Sequence, residues 1–342
     1  MIYKDLLESQ KTYYENFQTN EVFFERAIFL GWLCDIGTCK FCYMSTQPKK
    51  EKSDISKLKF KGARHKVSVY IEAILTRVMN YKVEFVSCGA NVFDDDYLIE
   101  ILENIYKITG EKVILNIGPL TKEQLIKFQP YISGVSASIE TFSKKHDDIC
   151  PNKPISLYEE MILYSKELKL NRAITIILGL GETLDDFNAM KDYVEKYDIN
   201  QITFYSLNPE KNTMYENSLG PSSMYYTKWI SKTRLEFPNI KIIVGSWANR
   251  NREMSFLIEA GANNFTKFPA FKLFNKNEAK LYKQEINETS RKLMSYFDFE
   301  DISFEEIKKK SINLAKENFK GEMLEKILEK LNSYLEMIKK NE

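Results

Sequence analysis

Cys34, Cys39 and Cys42 form a C-x4-C-x2-C triplet in the segment FLGWLCDIGTCKFCYMS, three thiols within nine residues. The chain has five cysteines in all, an odd number that argues against a disulfide framework. Two metal chemistries suit the triplet. Three thiolates on one loop can ligate three irons of a [4Fe–4S] cube, leaving the fourth iron open to the amine and carboxylate of a bound molecule. Alternatively they hold a structural zinc ion, with Cys88, Cys150, His65 or His146 as fourth ligand. Only two histidines are present, which disfavours Ser–His triads and His-based metal sites.

Such a loop acts only where the fold places it. RAIFLGWL (26–33), directly before Cys34, is a short apolar run that reads as a first buried strand. Strand patterns recur at 83–88, 112–117, 134–141, 172–182, 201–207, 240–245 and 262–268. Helical spacing falls between them at 67–81, 95–109, 121–129, 155–170, 183–197, 222–237 and 251–261. Near-continuous apolar strands alternating with helices imply a parallel sheet covered by helices. Eight such units imply a closed (β/α)8 barrel of the TIM type. The cysteine loop then lies at the C-terminal mouth, where barrel active sites are built. Residues 1–25 read as a helical lead-in, 26–275 as the barrel and 276–342 as a C-terminal helical extension, with 47–66 a polar, basic loop.

The totals narrow the partners. With 49 basic and 48 acidic residues the net charge is +1, so no general attraction to nucleic acid is expected. No run of 18 apolar residues appears, and the polar N-terminus lacks a signal-peptide core. The expectation is a cytoplasmic protein with neither membrane nor nucleic-acid partner.

Six further segments end or follow predicted strands. SCGAN (87–91) follows the second, SASIET (136–141) ends the fourth, and ILGLGET (177–183) carries the fifth into a glycine turn. Gly179 and Gly181 permit positive φ and close backbone approach. Ser138 and Glu140 alternate with Ala137 and Ile139 and so share one face. A buried Glu140 needs a partner, and Arg172 on the next strand is one candidate. NPEKNTMYENSLGPSS (208–223) and GSWANRN (245–251) place Asn208, Trp247, Asn249 and Arg250 at the mouth as candidate substrate contacts. KFPAFKLFN (267–275) follows the eighth strand and supplies aromatics either to the mouth or to the core.

The cysteine loop resembles that of the radical S-adenosylmethionine (SAM) superfamily, in which the usual spacing is C-x3-C-x2-C with an aromatic before the third cysteine. Phe41 fills that aromatic place, and one extra residue separates the first two cysteines. The GLGE run resembles the biotin-synthase-like group, as does the N-P-x-x-x-T pattern beginning at Asn208. Within that group the chain resembles most the HmdB/HcgA family of [Fe]-hydrogenase (iron–guanylylpyridinol) cofactor assembly, which also has a widened first spacing. The resemblance implies a [4Fe–4S] cluster on Cys34, Cys39 and Cys42, and SAM bound to it. Phe41, Gly179 and Gly181 would lie near the adenine. Backbone acceptors of Ser87, Cys88, Gly89 and Ala90 would meet the methionyl amine. Ser138 and Glu140 would meet the ribose and methionyl parts, and Arg172 the carboxylate. It further implies reductive cleavage of SAM to a 5′-deoxyadenosyl radical, hydrogen abstraction from a small-molecule substrate, and an external one-electron donor such as ferredoxin or flavodoxin. An auxiliary cluster for sulfur insertion would lack ligands, since only Cys88 and Cys150 remain.

Overall fold

The computed structural model describes residues 2–46 and 62–342; most of the basic loop expected at 47–66 lies outside the described residues. Eight parallel strands form one sheet in sequential order: β2 (Glu25–Phe29), β3 (Lys82–Ser87), β4 (Val113–Asn116), β5 (Ile132–Glu140), β6 (Asn171–Leu178), β7 (Gln201–Ser206), β8 (Lys241–Gly245) and β9 (Asn264–Thr266). A parallel bridge from Phe24 to Phe265 brings the last strand beside the first, so the sheet curls into a barrel. All eight predicted strand–helix units are present, and the (β/α)8 expectation holds.

The helices start and stop where their chemistry dictates. Asp94 caps the Asp95–Thr109 helix by accepting from Tyr97 N, and Gly110 ends it in the left-handed conformation. Thr121 and Gln124 form a capping box at Lys122–Phe128. Between sheet and helices lies the main core, with Ile28, Val86, Leu115, Val135, Ile174 and Phe204 facing outward from successive strands. Inside the barrel a second, smaller cluster joins Phe85, Ile114, Ala173 and Tyr205. This two-shell packing fixes the strand ends that carry the site.

The lead-in and the extension differ from the sequence expectation in one respect. After the Ile2–Phe17 helix, β1 (Glu21–Val22) pairs in parallel with β10 (Lys292–Leu293). Two-residue strands carry no periodicity, so the pattern could not show them. The helices Phe304–Asn318 and Gly321–Lys339 pack against the Lys66–Val78 helix, on the flank next to the cysteine-bearing strand. Strand one is also shorter than expected. It ends at Phe29, and the chain continues through an antiparallel bridge from Gly31 to Ala63 before reaching Cys34.

Two bulges matter for the site. Between β2 and β3 the register slips, because Arg26 pairs with Val83 and Ile28 with Val86. The extra residue turns both Glu84 and Phe85 toward the barrel interior. Between β5 and β6 the slip falls between Ser138 and Glu140, and Glu140 adopts φ 71°.

Candidate active site

The site is a cavity of about 1080 Å³ at the C-terminal mouth, lined from the ends of most barrel strands. Phe41 and Cys42 line it from the cysteine loop, Ser87 from β3, Asn116 from β4, and Ser138 and Glu140 from β5. Thr175 and Ile177 follow from β6, Tyr205 and Ser206 from β7, Trp247 and Asn249 after β8, and Thr266 and Lys267 at β9. Pockets that hold one small ligand span about 300–1000 Å³, so this cavity has room for a cofactor and a substrate together.

The cysteine loop is held by its neighbours. Asp35 N donates to Ala90 O at 3.1 Å, which stitches it to the loop after β3. Lys40 N donates to Ile149 O at 2.9 Å, and Met214 N donates to Lys40 O at 3.0 Å. Gly89 lies against the first cysteine: a Cβ there would sit 2.0 Å from Leu33 O and 2.5 Å from Cys34 Cβ. Only a residue without a side chain fits between the two loops.

The three loop cysteines are half-buried and unpaired. Burial pushes the Cys42 thiol up to about 12. The thiol of Cys150 donates to Cys39 and holds Cys39 below the ordinary thiol range, while Cys150 itself is pushed far up by that same bond and by burial. Among the described residues no three His, Cys, Asp or Glu side chains converge as one metal ion would require. Of the zinc candidates, the two histidines each spend one ring nitrogen locally, while Nε2 of His146 is buried without a partner among the described residues. His65 Nδ1 accepts from Val67 N as the cap of the Lys66–Val78 helix. Nδ1 of His146 pairs with Asp147 at 3.1 Å.

Phe41, Cys39 and Ile177 pack on a small apolar cluster of Ile149, Cys150, Leu180 and Leu207. This brings the aromatic of the cysteine loop beside the glycine turn after β6. That turn is built by Glu182, whose carboxylate accepts from Gly179 N at 2.8 Å and Leu180 N at 2.9 Å. Gly179 and Gly181 both adopt φ 102°. Glu182 is therefore the keystone of the turn, and burial raises its pKa.

Ser138 donates to Asn116 Oδ1 at 2.8 Å, and Glu140 pairs with Lys153 at 2.6 Å. The sequence offered Arg172 as partner for Glu140, and as a ligand for a carboxylate; the structure places it elsewhere. Arg172 begins β6, at the opposite end of the barrel, where Asp198 accepts from it through its carboxylate and its carbonyl at 2.9 and 2.8 Å. Lys153 is buried, and burial works against its charge, but the adjacent Glu140 carboxylate outweighs this and raises its pKa. Arg250 is also withdrawn from substrate contact, because it folds back on Glu253. Asn208, Trp247 and Asn249 do line the cavity, as do Phe268 and Pro269 of the segment after β9. Sequence reasoning missed Lys153, Glu84, Tyr205 and Lys267.

The family model for the radical SAM superfamily matches residues 33–194, which span the cysteine loop, the loop after β3, β5 and the glycine turn. The chain belongs to the radical SAM superfamily. As a radical SAM enzyme it uses a [4Fe–4S] cluster and SAM, and the unpaired thiols Cys34, Cys39 and Cys42, the last of them lining the cavity, fit that donor set. An uncharacterized protein of Methanocaldococcus jannaschii is 39% identical over 93% of this chain and 90% of its own. A biotin synthase of Methanococcus maripaludis is 25% identical over 59% of this chain and 62% of its own. Among solved structures, methylornithine synthase (PylB) superposes with a TM-score of 0.71 at 16% identity, covering 90% of this chain and 91% of that one. The FeFe-hydrogenase maturase HydG from Carboxydothermus hydrogenoformans gives 0.65 at 17% identity, covering 98% and 81%. These two likenesses concern the fold. Among the described residues no helix is long and apolar enough to cross a membrane.

Proposed function

We propose that this radical SAM enzyme abstracts hydrogen from a small-molecule substrate bound in the barrel cavity, with an external one-electron donor such as ferredoxin or flavodoxin. The observation that carries this reading is the cavity of about 1080 Å³ that Phe41 and Cys42 of the cysteine loop line. When bound, the cluster and SAM supply the 5′-deoxyadenosyl radical. The protein supplies position and exclusion of water.

Each residue group has its task in this reading. Cys34, Cys39 and Cys42 would hold the cluster. Phe41, with the Gly179–Gly181 turn beside it, offers a flat apolar face for the adenine. Carbonyls of the Ser87–Ala90 loop would accept from the methionyl ammonium. Ser138 and Glu140 would meet the ribose hydroxyls, with Lys153 pairing with Glu140 from behind. Phe29, Trp32, Trp247 and Phe268 form apolar walls of the cavity and would shield the reacting centre from solvent.

The finer assignment is to assembly of the iron–guanylylpyridinol cofactor of [Fe]-hydrogenase, in the cytoplasm. Its support is the widened spacing between Cys34 and Cys39. Sulfur insertion is disfavoured because Cys150 is engaged by Cys39, which leaves Cys88 alone for an auxiliary cluster.

Anaerobic reconstitution, followed by SAM and dithionite, tests the general reading. The expected result is a brown protein that releases 5′-deoxyadenosine and takes up deuterium into it from a labelled substrate. Release without deuterium uptake from any labelled small molecule in a cell extract would refute the hydrogen-abstraction step. For the finer assignment, the protein should restore [Fe]-hydrogenase activation to an extract lacking the radical SAM protein of that assembly. Failure to restore it refutes the assignment alone.

A further inference from the structure

Two hydrogen bonds bring Cys150 against the cysteine loop. Lys40 N donates to Ile149 O at 2.9 Å, and the Thr38 hydroxyl donates to Pro151 O. The residue after Cys39 thus meets the residue before Cys150, and the residue before Cys39 meets the residue after Cys150. The two segments run antiparallel in these contacts, with Cys39 and Cys150 directly opposite. Opposed residues of antiparallel backbone hold their Cβ atoms about 4.5–5.5 Å apart, close enough for two thiols to touch. Pro151 has no N–H with which to continue the pairing, so the Thr38 side chain supplies the second link.

The turn that carries Cys150 is held by its own backbone. Cys150 N donates to His146 O at 2.8 Å, and Cys150 O accepts from Lys153 N at 3.2 Å. With both backbone groups spent, the thiol is the only polar group this residue has left. It is buried, 2% exposed, among Ile149, Leu180 and Leu207, whose side chains offer no acceptor. The acceptor it finds is the sulfur of Cys39, which packs on the same apolar cluster. Apolar surroundings oppose a thiolate, so Cys150 keeps its proton and stays a donor. The charges that reach Cys39, those of Lys153 and Glu140, oppose each other as an ion pair at 2.6 Å.

We propose that Cys150 is a positioning residue for the cluster, donating its S–H to the Cys39 sulfur in the loaded enzyme and so raising the cluster's reduction potential. This rests on the reading of Cys39 as a cluster ligand.

Reduction brings one electron from the external donor and adds one negative charge to the cluster and its thiolates. A hydrogen bond to a ligating sulfur favours the more negative state, so it makes that electron easier to accept. The proton stays on Cys150 throughout, and no covalent bond forms or breaks. A thiol is a weak donor, so the effect is that of one modest hydrogen bond, roughly three- to tenfold in the ratio of reduced to oxidised cluster at a fixed potential. For one electron, tenfold corresponds to about 59 mV.

The test is a redox titration of the reconstituted holoenzyme followed by electron paramagnetic resonance, with iron counted on the same samples. C150A should keep the wild-type iron content while its midpoint falls, so that at the wild-type midpoint the reduced-to-oxidised ratio drops roughly three- to tenfold. C150V fills the apolar pocket without a donor; it should match C150A, and it serves if C150A does not fold. C150S keeps a donor at the same place and should stay closer to wild type than to C150A, whereas a purely structural role would favour valine over serine in that pocket. Equal midpoints in wild type, C150A and C150V overturn the proposal, as does a C150S midpoint as low as that of C150A. Loss of one iron per chain in C150A overturns it too, by making Cys150 a ligand. A wild-type protein that takes up no cluster, or a C39A protein that keeps the wild-type spectrum, overturns the underlying reading instead.

Discussion

Replacing Gly89 with alanine should dismantle the cluster loop while leaving the barrel standing. The added Cβ would lie 2.0 Å from Leu33 O, 2.5 Å from Cys34 Cβ and 2.6 Å from Cys34 Cα, all contacts that must open to at least 3.0 Å. The backbone carrying Cys34 must therefore retreat by about 1 Å. Overpacking of this kind costs about 1–3 kcal/mol, which a core of this size tolerates. A displacement of about 1 Å at a reacting centre costs on the order of 100-fold in rate. The assay is iron content after anaerobic reconstitution, with 5′-deoxyadenosine formation and circular dichroism on the same sample. The expected outcome is a folded protein with less than half the wild-type iron and roughly 100-fold slower SAM cleavage, on the scale just given. A G89A enzyme with full iron content and an undiminished rate would refute the claim that the loop after β3 seats Cys34.

Three further outcomes follow from buried groups. Glu84, raised from 4.5 to about 6, keeps its proton in the folded state after the unfolded chain has lost it, so stability should fall between those pH values and stay low above them. The penalty is about 2 kcal/mol, and E84Q should remove the slope from the pH dependence of urea unfolding; an unchanged slope contradicts the burial of that carboxyl. Lys153→Met leaves Glu140 without its cation in a buried pair and should cost about 3–5 kcal/mol in thermal or urea unfolding, whereas a loss below about 1 kcal/mol would show that the pair is solvated. Cys150→Ala removes a hydrogen-bond donor to Cys39 and no cluster ligand, so iron content should remain within about a fifth of wild type. Loss of one iron or more per chain would make Cys150 a ligand.

The alternation of strand and helix was legible because parallel barrel strands are apolar on both faces and their helices are amphipathic. The chemistry of the cysteine loop was legible because its residues are adjacent in sequence. What escaped reading depends on contacts between distant segments or on irregular backbone. Glu84 follows Val83 in an alternating pattern that would point one of Glu84 and Phe85 outward; the bulge turns both inward. Lys153 meets Glu140 across a separation of 13 residues, whereas Arg172 was nearer in the strand pattern but begins its strand. Strand polarity alone rules Arg172 out of the mouth, since every parallel strand starts at the opposite end. Arg250 illustrates a local competitor, because Glu253 three residues on takes its guanidinium. Lys267 gave no signal in sequence: its place comes from Gly245 and Tyr205, which lie on two other strands.

The most direct test of the account is electron paramagnetic resonance of the dithionite-reduced, reconstituted protein with and without SAM. Three cysteine ligands leave one iron for SAM, so the spectrum of the reduced cluster should change shape when SAM is added, and single replacements of Cys34, Cys39 or Cys42 by alanine should abolish that signal. A cluster spectrum indifferent to SAM, or a colourless protein holding one zinc ion on the same cysteines, would contradict it.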